Sequence, residues 1–105
     1  MRRALREFLI ALELERAVVE DVLLAAGEAS ANAIEHAYRD GNGEFRLRAF
    51  LTRTHIVVEV SDRGSWRMEG ESNRGRGLGI MHALVDRVAI ATTREGTTVR
   101  LELAL

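Results

Sequence analysis

Near residue 41 the period of this sequence changes. Before it, apolar side chains recur at helical spacing; after it, they alternate one by one with polar ones. A chain that sets helices first and strands mostly after folds as helices laid on one face of a largely antiparallel sheet. The change is made by Arg39-Asp40-Gly41-Asn42-Gly43, where two glycines and an Asn-Gly pair supply strong turn chemistry.

Leu5, Phe8, Leu9 and Leu12 predict an amphipathic first helix from Met1 to about Ala11. Glu13-Leu14-Glu15 either connects or continues it, and no Gly or Pro decides. A second helix is expected from Arg16 to Tyr38, with Val19, Val22, Leu23, Ala26, Ala33 and Ala37 as its apolar stripe. Two alternating runs follow, Glu44 to Arg53 and His55 to Asp62, close enough through Thr52-Arg53-Thr54 to form an antiparallel hairpin. Trp66 to Arg76 has no periodicity and reads as a loop. Gly77-Leu78-Gly79 opens a third helix, about Leu78 to Val85. Val88, Ile90 and Thr92 mark a third strand, Arg94-Glu95-Gly96-Thr97 a turn, and Val99, Leu101 and Leu103 a last strand. The expected fold is an α+β two-layer sandwich. Three helices share one face of a mixed, mostly antiparallel sheet, leaving Arg46, Arg48, Glu59, Arg100 and Glu102 for solvent. The whole chain, 1–105, reads as a single domain.

Composition removes several function classes. All fifteen basic residues are arginine, so the lysine of a P-loop and that of a eukaryotic-type protein kinase are both missing. Without cysteine, thiol catalysis and thiolate metal sites are excluded. A net charge of -1 gives no electrostatic case for nucleic acid or an anionic membrane. No apolar run approaches the length of a membrane span, and no signal peptide is visible, so a cytoplasmic setting is the expectation.

Three stretches can carry chemistry. Glu28, Asn32 and His36 stand four apart on the second helix, with Glu35 beside Asn32. A carboxylate one turn from a carboxamide, both directed away from the apolar side, suits a base and a metal ligand; it equally suits an ordinary wet helix face. Asp62-Arg63-Gly64 ends a strand. Its carboxylate can accept from an exocyclic amine such as adenine N6 while the glycine lets the backbone approach a flat ring, or it is a plain strand-ending turn. Arg74-Gly75-Arg76-Gly77-Leu78-Gly79 runs glycines and arginines into a helix start, a pattern that fits an anion or a hinge.

In this order the stretches resemble the ATP-binding domain of the GHKL (Bergerat-fold) superfamily, shared by gyrase, Hsp90, histidine kinases and MutL. The likeness is greatest to the bacterial anti-sigma factor serine/threonine protein kinases. Glu28-x-x-x-Asn32-Ala33-x-x-His36-Ala37-Tyr38 is similar to their N box, and Asp62-Arg63-Gly64 to the first glycine box. Gly75 to Met81 is similar to the second, and Gly96-Thr97-Thr98-Val99-Arg100-Leu101 to the closing strand motif. The resemblance implies ATP and Mg²⁺ as cofactors. It makes Glu28 the general base toward a substrate serine and Asn32 the Mg²⁺ ligand. Asp62 would bind the adenine amino group and Gly64 clear room for the ring. Arg74, Gly75, Arg76, Gly77, Leu78 and Gly79 would wrap the phosphates, and Thr98 would help orient Asp62 or a water. His36 and Tyr38 are expected to pack or cap the helix end.

That family implies an ATP-dependent protein kinase and transferase in transcription regulation. It would phosphorylate a STAS-type anti-sigma factor antagonist and bind a sigma factor. The alternative is a non-catalytic, ATP-sensing module of a larger phosphatase or kinase regulator. Neither reading calls for nucleic acid or membrane contact. Two features depart from the pattern. Family members usually begin with a strand ahead of the first helix, and none is read here, so an unpaired sheet edge would be left to recruit a partner strand or another copy. The lid, Ser65 to Arg74, is short, with Trp66 and Met68 as its apolar anchors. Both fit a module of a larger regulatory protein, dimeric or fused to other domains.

Overall fold

A computed structural model describes residues 2–40, 45–63 and 79–105, with backbone alone for 36–40. Two helices, α1 (Arg2–Ala11) and α2 (Arg16–Asp40), precede a hairpin of β1 (Phe45–Leu51) and β2 (His55–Asp62). A short helix α3 (79–84) leads to β3 (Arg87–Thr93) and β4 (Gly96–Ala104). The strands lie in the order β1-β2-β4-β3, and all three pairings are antiparallel. The sheet expected to be mixed is thus antiparallel throughout the described residues, because each neighbouring pair is joined by a hairpin or by return of the chain from the opposite end.

Strand alternation sorts the sheet into two faces. Ile56, Val58 and Val60 of β2 and Val99 and Leu101 of β4 are buried on the helix side. Against them α2 lays Val19, Val22, Leu23, Ala25, Ala26, Ala29 and Ala33, α1 adds Leu5 and Leu9, and the α3 region adds Met81 and Val85. The alanines let α2 sink close to the sheet. Leu9 and Leu23 are essentially inaccessible, and each such leucine is worth about 1.5–3 kcal/mol of burial. The expected stripe of α2 is the buried one, apart from Ala37, whose side chain lies outside the described residues.

Helix α1 ends without glycine. Glu13 takes φ 58°, the left-handed conformation usual for a helix C-terminus, and its N–H donates to the Ile10 carbonyl at 3.0 Å. Glu13-Leu14-Glu15 is therefore a connection. The second helix runs to Asp40, two residues beyond the expected end.

The outer face carries charge, as the alternation predicts. Glu59 accepts from Arg100 at 3.0 Å and from Arg48 at 3.4 Å, and Arg100 donates to Glu102 at 2.8 Å. Both guanidinium groups lie over the Phe50 ring, at 5.2 and 5.7 Å from its centroid. Val57, flanked in register by Phe50 and Glu102, is buried beneath this layer. Hydrogen bonding to Glu102, and then the fields of both glutamates, hold the Arg100 guanidinium above its usual range.

Candidate functional site

Asp62 is the last residue of β2, and its parity with Ile56, Val58 and Val60 turns it toward the helices. It is 7% exposed, low for a carboxylate at a strand end. Helix α2, carrying Glu28 and Asn32, packs on that same side. The strand-end acid and the helix amide therefore share one face of the sheet.

The start of β4 braces Asp62. Gly96 has φ 142°, and a Cβ built on it would lie 1.9 Å from the Asp62 carbonyl oxygen. No side chain fits, so glycine is required both by conformation and by space. The next residue, Thr97, stands directly opposite Asp62 in the ladder and is 1% exposed. Its hydroxyl lies 3.3 Å from that of Thr92.

Thr98 is elsewhere. It pairs with Ser61, their hydroxyls 3.0 Å apart, on the outer face with Arg100 and Glu102. The expectation was that Thr98 helps orient Asp62 or a water; side chains alternate along a strand, and the threonine on Asp62's side is Thr97. The alternation of Val99, Leu101 and Leu103 against Arg100 and Glu102 already placed Thr97 inward and Thr98 outward; the role came to Thr98 from the resemblance, not from that alternation.

On α2, Glu28 and Asn32 are both half-buried. The Asn32 amide nitrogen is fully enclosed and finds no hydrogen-bond partner among the described residues. The pair was expected to point away from the apolar side; instead Asn32 borders the buried row of Ala25 and Ala29. Small alanines bring the helix so near the sheet that its flank is covered as well. Ser30, which the sequence reading passed over, is 3% exposed, with its hydroxyl also unpartnered among the described residues. A lone serine in an alanine run on the buried side was the available signal. An enclosed amide with an unmade bond costs about 1–3 kcal/mol, a cost a bound polar group would remove.

Gly79 is the first described residue of α3 and is exposed. A Cβ there would meet nothing within 4 Å among the described atoms, and its φ lies outside the left-handed region. Neither packing nor backbone conformation calls for glycine at this position. Gly64, Arg74, Gly75, Arg76, Gly77 and Leu78 lie outside the described residues, as does the lid from Ser65 to Arg74. Among the described residues no three histidine, aspartate or glutamate side chains converge as a metal site.

The profile of the histidine kinase-like ATPase domain matches residues 1–103. The chain belongs to this family. It is an ATPase-type domain, and the family implies ATP binding. Among its relatives, the anti-sigma F factor of Caldanaerobacter subterraneus is 31% identical over 98 residues, covering 79% of this chain and 68% of that protein. The serine-protein kinase RsbW of Bacillus subtilis is 31% identical over 101 residues, covering 79% of this chain and 62% of its own length. A shorter match, 38% over 47 residues, links this histidine kinase-like ATPase domain to RsbW of Oceanobacillus iheyensis. The chain thus spans less than two thirds of the RsbW relatives. No helix among the described residues is long and apolar enough to cross a membrane.

Proposed function

We propose that this domain is an ATP-dependent serine protein kinase of the anti-sigma factor type, acting on an anti-sigma factor antagonist and binding a sigma factor. The observation that carries the reading is the placement of buried Asp62, braced by Gly96, on the same side of the sheet as Glu28 and Asn32. Relatives named as anti-sigma factor and serine-protein kinase support it.

In this reading Asp62 accepts a hydrogen bond from the adenine amino group, with buried Thr97 beside it in place of Thr98. Gly64 gives the ring clearance, and Arg74 to Gly79 wrap the phosphates. Asn32 offers its side-chain oxygen to Mg²⁺, which supplies charge neutralisation at the phosphates. One amide cannot hold that ion alone, but Mg²⁺ ordinarily keeps several waters and takes further oxygens from the nucleotide. The Asn32 amide nitrogen, enclosed and without a hydrogen-bond partner among the described residues, is a donor; it would meet an acceptor such as a nucleotide oxygen and leave the side-chain oxygen for the ion.

Glu28 lies one helical turn from Asn32 and takes the proton of the substrate serine hydroxyl. The serine oxygen bonds to the γ-phosphorus, the bond to the β,γ-bridging oxygen breaks, and ADP leaves. Most of the catalysis is positioning and electrostatics; a base of this kind adds about 10²–10⁴-fold. The test mixes the purified protein with radiolabelled ATP, Mg²⁺ and a STAS-type antagonist. Label should pass to an antagonist serine, and Glu28→Ala should abolish transfer while sparing ATP binding. Transfer by the variant at the wild-type rate removes Glu28 as base. ATP binding without transfer by the wild type favours the non-catalytic sensing module.

A further inference from the structure

One row of paired residues crosses the sheet from β1 to β3. Phe45 of β1 stands opposite Asp62 of β2, Asp62 opposite Thr97 of β4, and Thr97 opposite Thr92 of β3. Residues paired in this way share a face, with Cβ atoms about 4.5–5.5 Å apart. The whole row therefore lies on the helix side with Asp62. Phe45 has no polar side-chain atom, so within the row Asp62 has its polar neighbour on β4. That neighbour, Thr97, is 1% exposed, and its hydroxyl lies 3.3 Å from that of Thr92. Val88 and Ile90 precede Thr92 on the same face of β3, so a hydroxyl there departs from the apolar pattern of its strand.

The chemistry of the row sets the direction of its protons. An ionised carboxylate only accepts hydrogen bonds, whereas a threonine hydroxyl donates once and accepts through its lone pairs. With the Thr97 proton directed to Asp62, the Thr97 oxygen accepts from Thr92. Remove the Thr92 hydroxyl, and the Thr97 hydroxyl loses the bond that holds it in that sense.

We propose that Thr92 is a positioning residue for base selection, holding the Thr97 hydroxyl toward Asp62 so that this corner of the site accepts hydrogen bonds and offers none. This rests on Asp62 being the group that receives the nucleotide base. Adenine presents an amine there, a donor, and guanine a carbonyl oxygen, an acceptor. A carboxylate backed by a fixed hydroxyl suits the first and rejects the second. Once the hydroxyl can turn, it can donate to the guanine oxygen, and the distinction weakens.

Titration calorimetry on the whole chain measures Kd for ATP and for GTP, each with Mg²⁺, with thermal melts in parallel. The proteins are the wild type, Thr92→Val, Thr92→Ala, Thr92→Ser and Thr98→Val. The wild type should prefer ATP. Thr92→Val should lose about fivefold of that preference, the worth of one neutral hydrogen bond. Valine suits a strand, so its melt should stay near that of the wild type, and Thr92→Ala removes the hydroxyl a second way. Thr92→Ser, which keeps the hydroxyl, and Thr98→Val, which alters the outer face, should keep the wild-type ratio. A packing defect would weaken both nucleotides alike. An ATP-to-GTP ratio unchanged in both Thr92→Val and Thr92→Ala, or lost equally in Thr92→Ser, would overturn the proposal while leaving the nucleotide site standing. A wild type that binds both nucleotides equally would overturn it too. A wild type that binds neither would remove the nucleotide site itself, and the role of Thr92 with it.

Discussion

Replacing Gly96 by alanine should damage both the sheet and the proposed nucleotide site. The added Cβ would lie 1.9 Å from the Asp62 carbonyl oxygen and 2.7 Å from Cα of Arg63. Both contacts are with backbone, so no side chain can swing aside. To reach an ordinary contact of about 3.4 Å, the start of β4 must retreat from the end of β2 by about 1.5 Å. Forcing an L-residue to φ 142° costs about 1–3 kcal/mol. Overpacking adds about 1–3 kcal/mol, for a total of about 2–6 kcal/mol. For a domain of this size, 2 kcal/mol lowers Tm by about 10 °C. The shift also moves Asp62 and Thr97, so ATP affinity should fall beyond the loss explained by unfolding. Thermal melts with and without ATP-Mg²⁺ read both effects, since wild type at 100 times its Kd gains about 2.7 kcal/mol. A variant with wild-type Tm and wild-type ATP stabilisation would refute the reasoning, showing that the close approach is not demanded by the fold.

The other substitutions separate binding from stability. Gly79→Ala should leave the melt unchanged or raise stability by up to about 1 kcal/mol, because nothing crowds its Cβ, yet weaken ATP binding in titration calorimetry. Thr98→Val should cost about 1 kcal/mol through the lost Ser61 bond and spare ATP affinity, whereas Thr97→Val should lower that affinity; equal effects on binding would undo the assignment by strand face. Gly27→Ala should stabilise α2 by about 1 kcal/mol in urea unfolding, since its Cβ would meet only the Arg2 guanidinium, at 3.9 Å.

The layering was legible because it rests on periodicity. Ile56, Val58 and Val60 alternate cleanly, and Val19, Val22 and Leu23 recur at helical spacing; both sets face the core. The end of α1 near Ala11 was legible, but whether Glu13-Leu14-Glu15 connects or continues the helix was not, since a glutamate fills the left-handed position that glycine usually marks. The resemblance put the role on Thr98 alone, although the alternation of Val99 and Leu101 with Arg100 and Glu102 sets Thr97 on the inner side; the pairing of Thr97 with Asp62 and of Thr98 with Ser61 agrees with that alternation. The need for Gly96 was also invisible, because the carbonyl it must avoid belongs to a residue far away in the chain. The acid at the tip of β2 was readable as a candidate from its place before Arg63-Gly64; its burial was a tertiary result.

An apolar pattern of period two cannot distinguish the native alignment of β4 on β2 from one displaced by two residues, since either keeps valine and leucine inward. The salt links across the outer side remove that ambiguity. In the native ladder Glu59 meets Arg100. Displaced two residues one way, Glu59 would confront Glu102, like charge on like; displaced the other way, it would meet Thr98 and forfeit its cation. The arginines and glutamates on the exposed side thus serve as a ruler by which the last strand measures its position while the sheet closes.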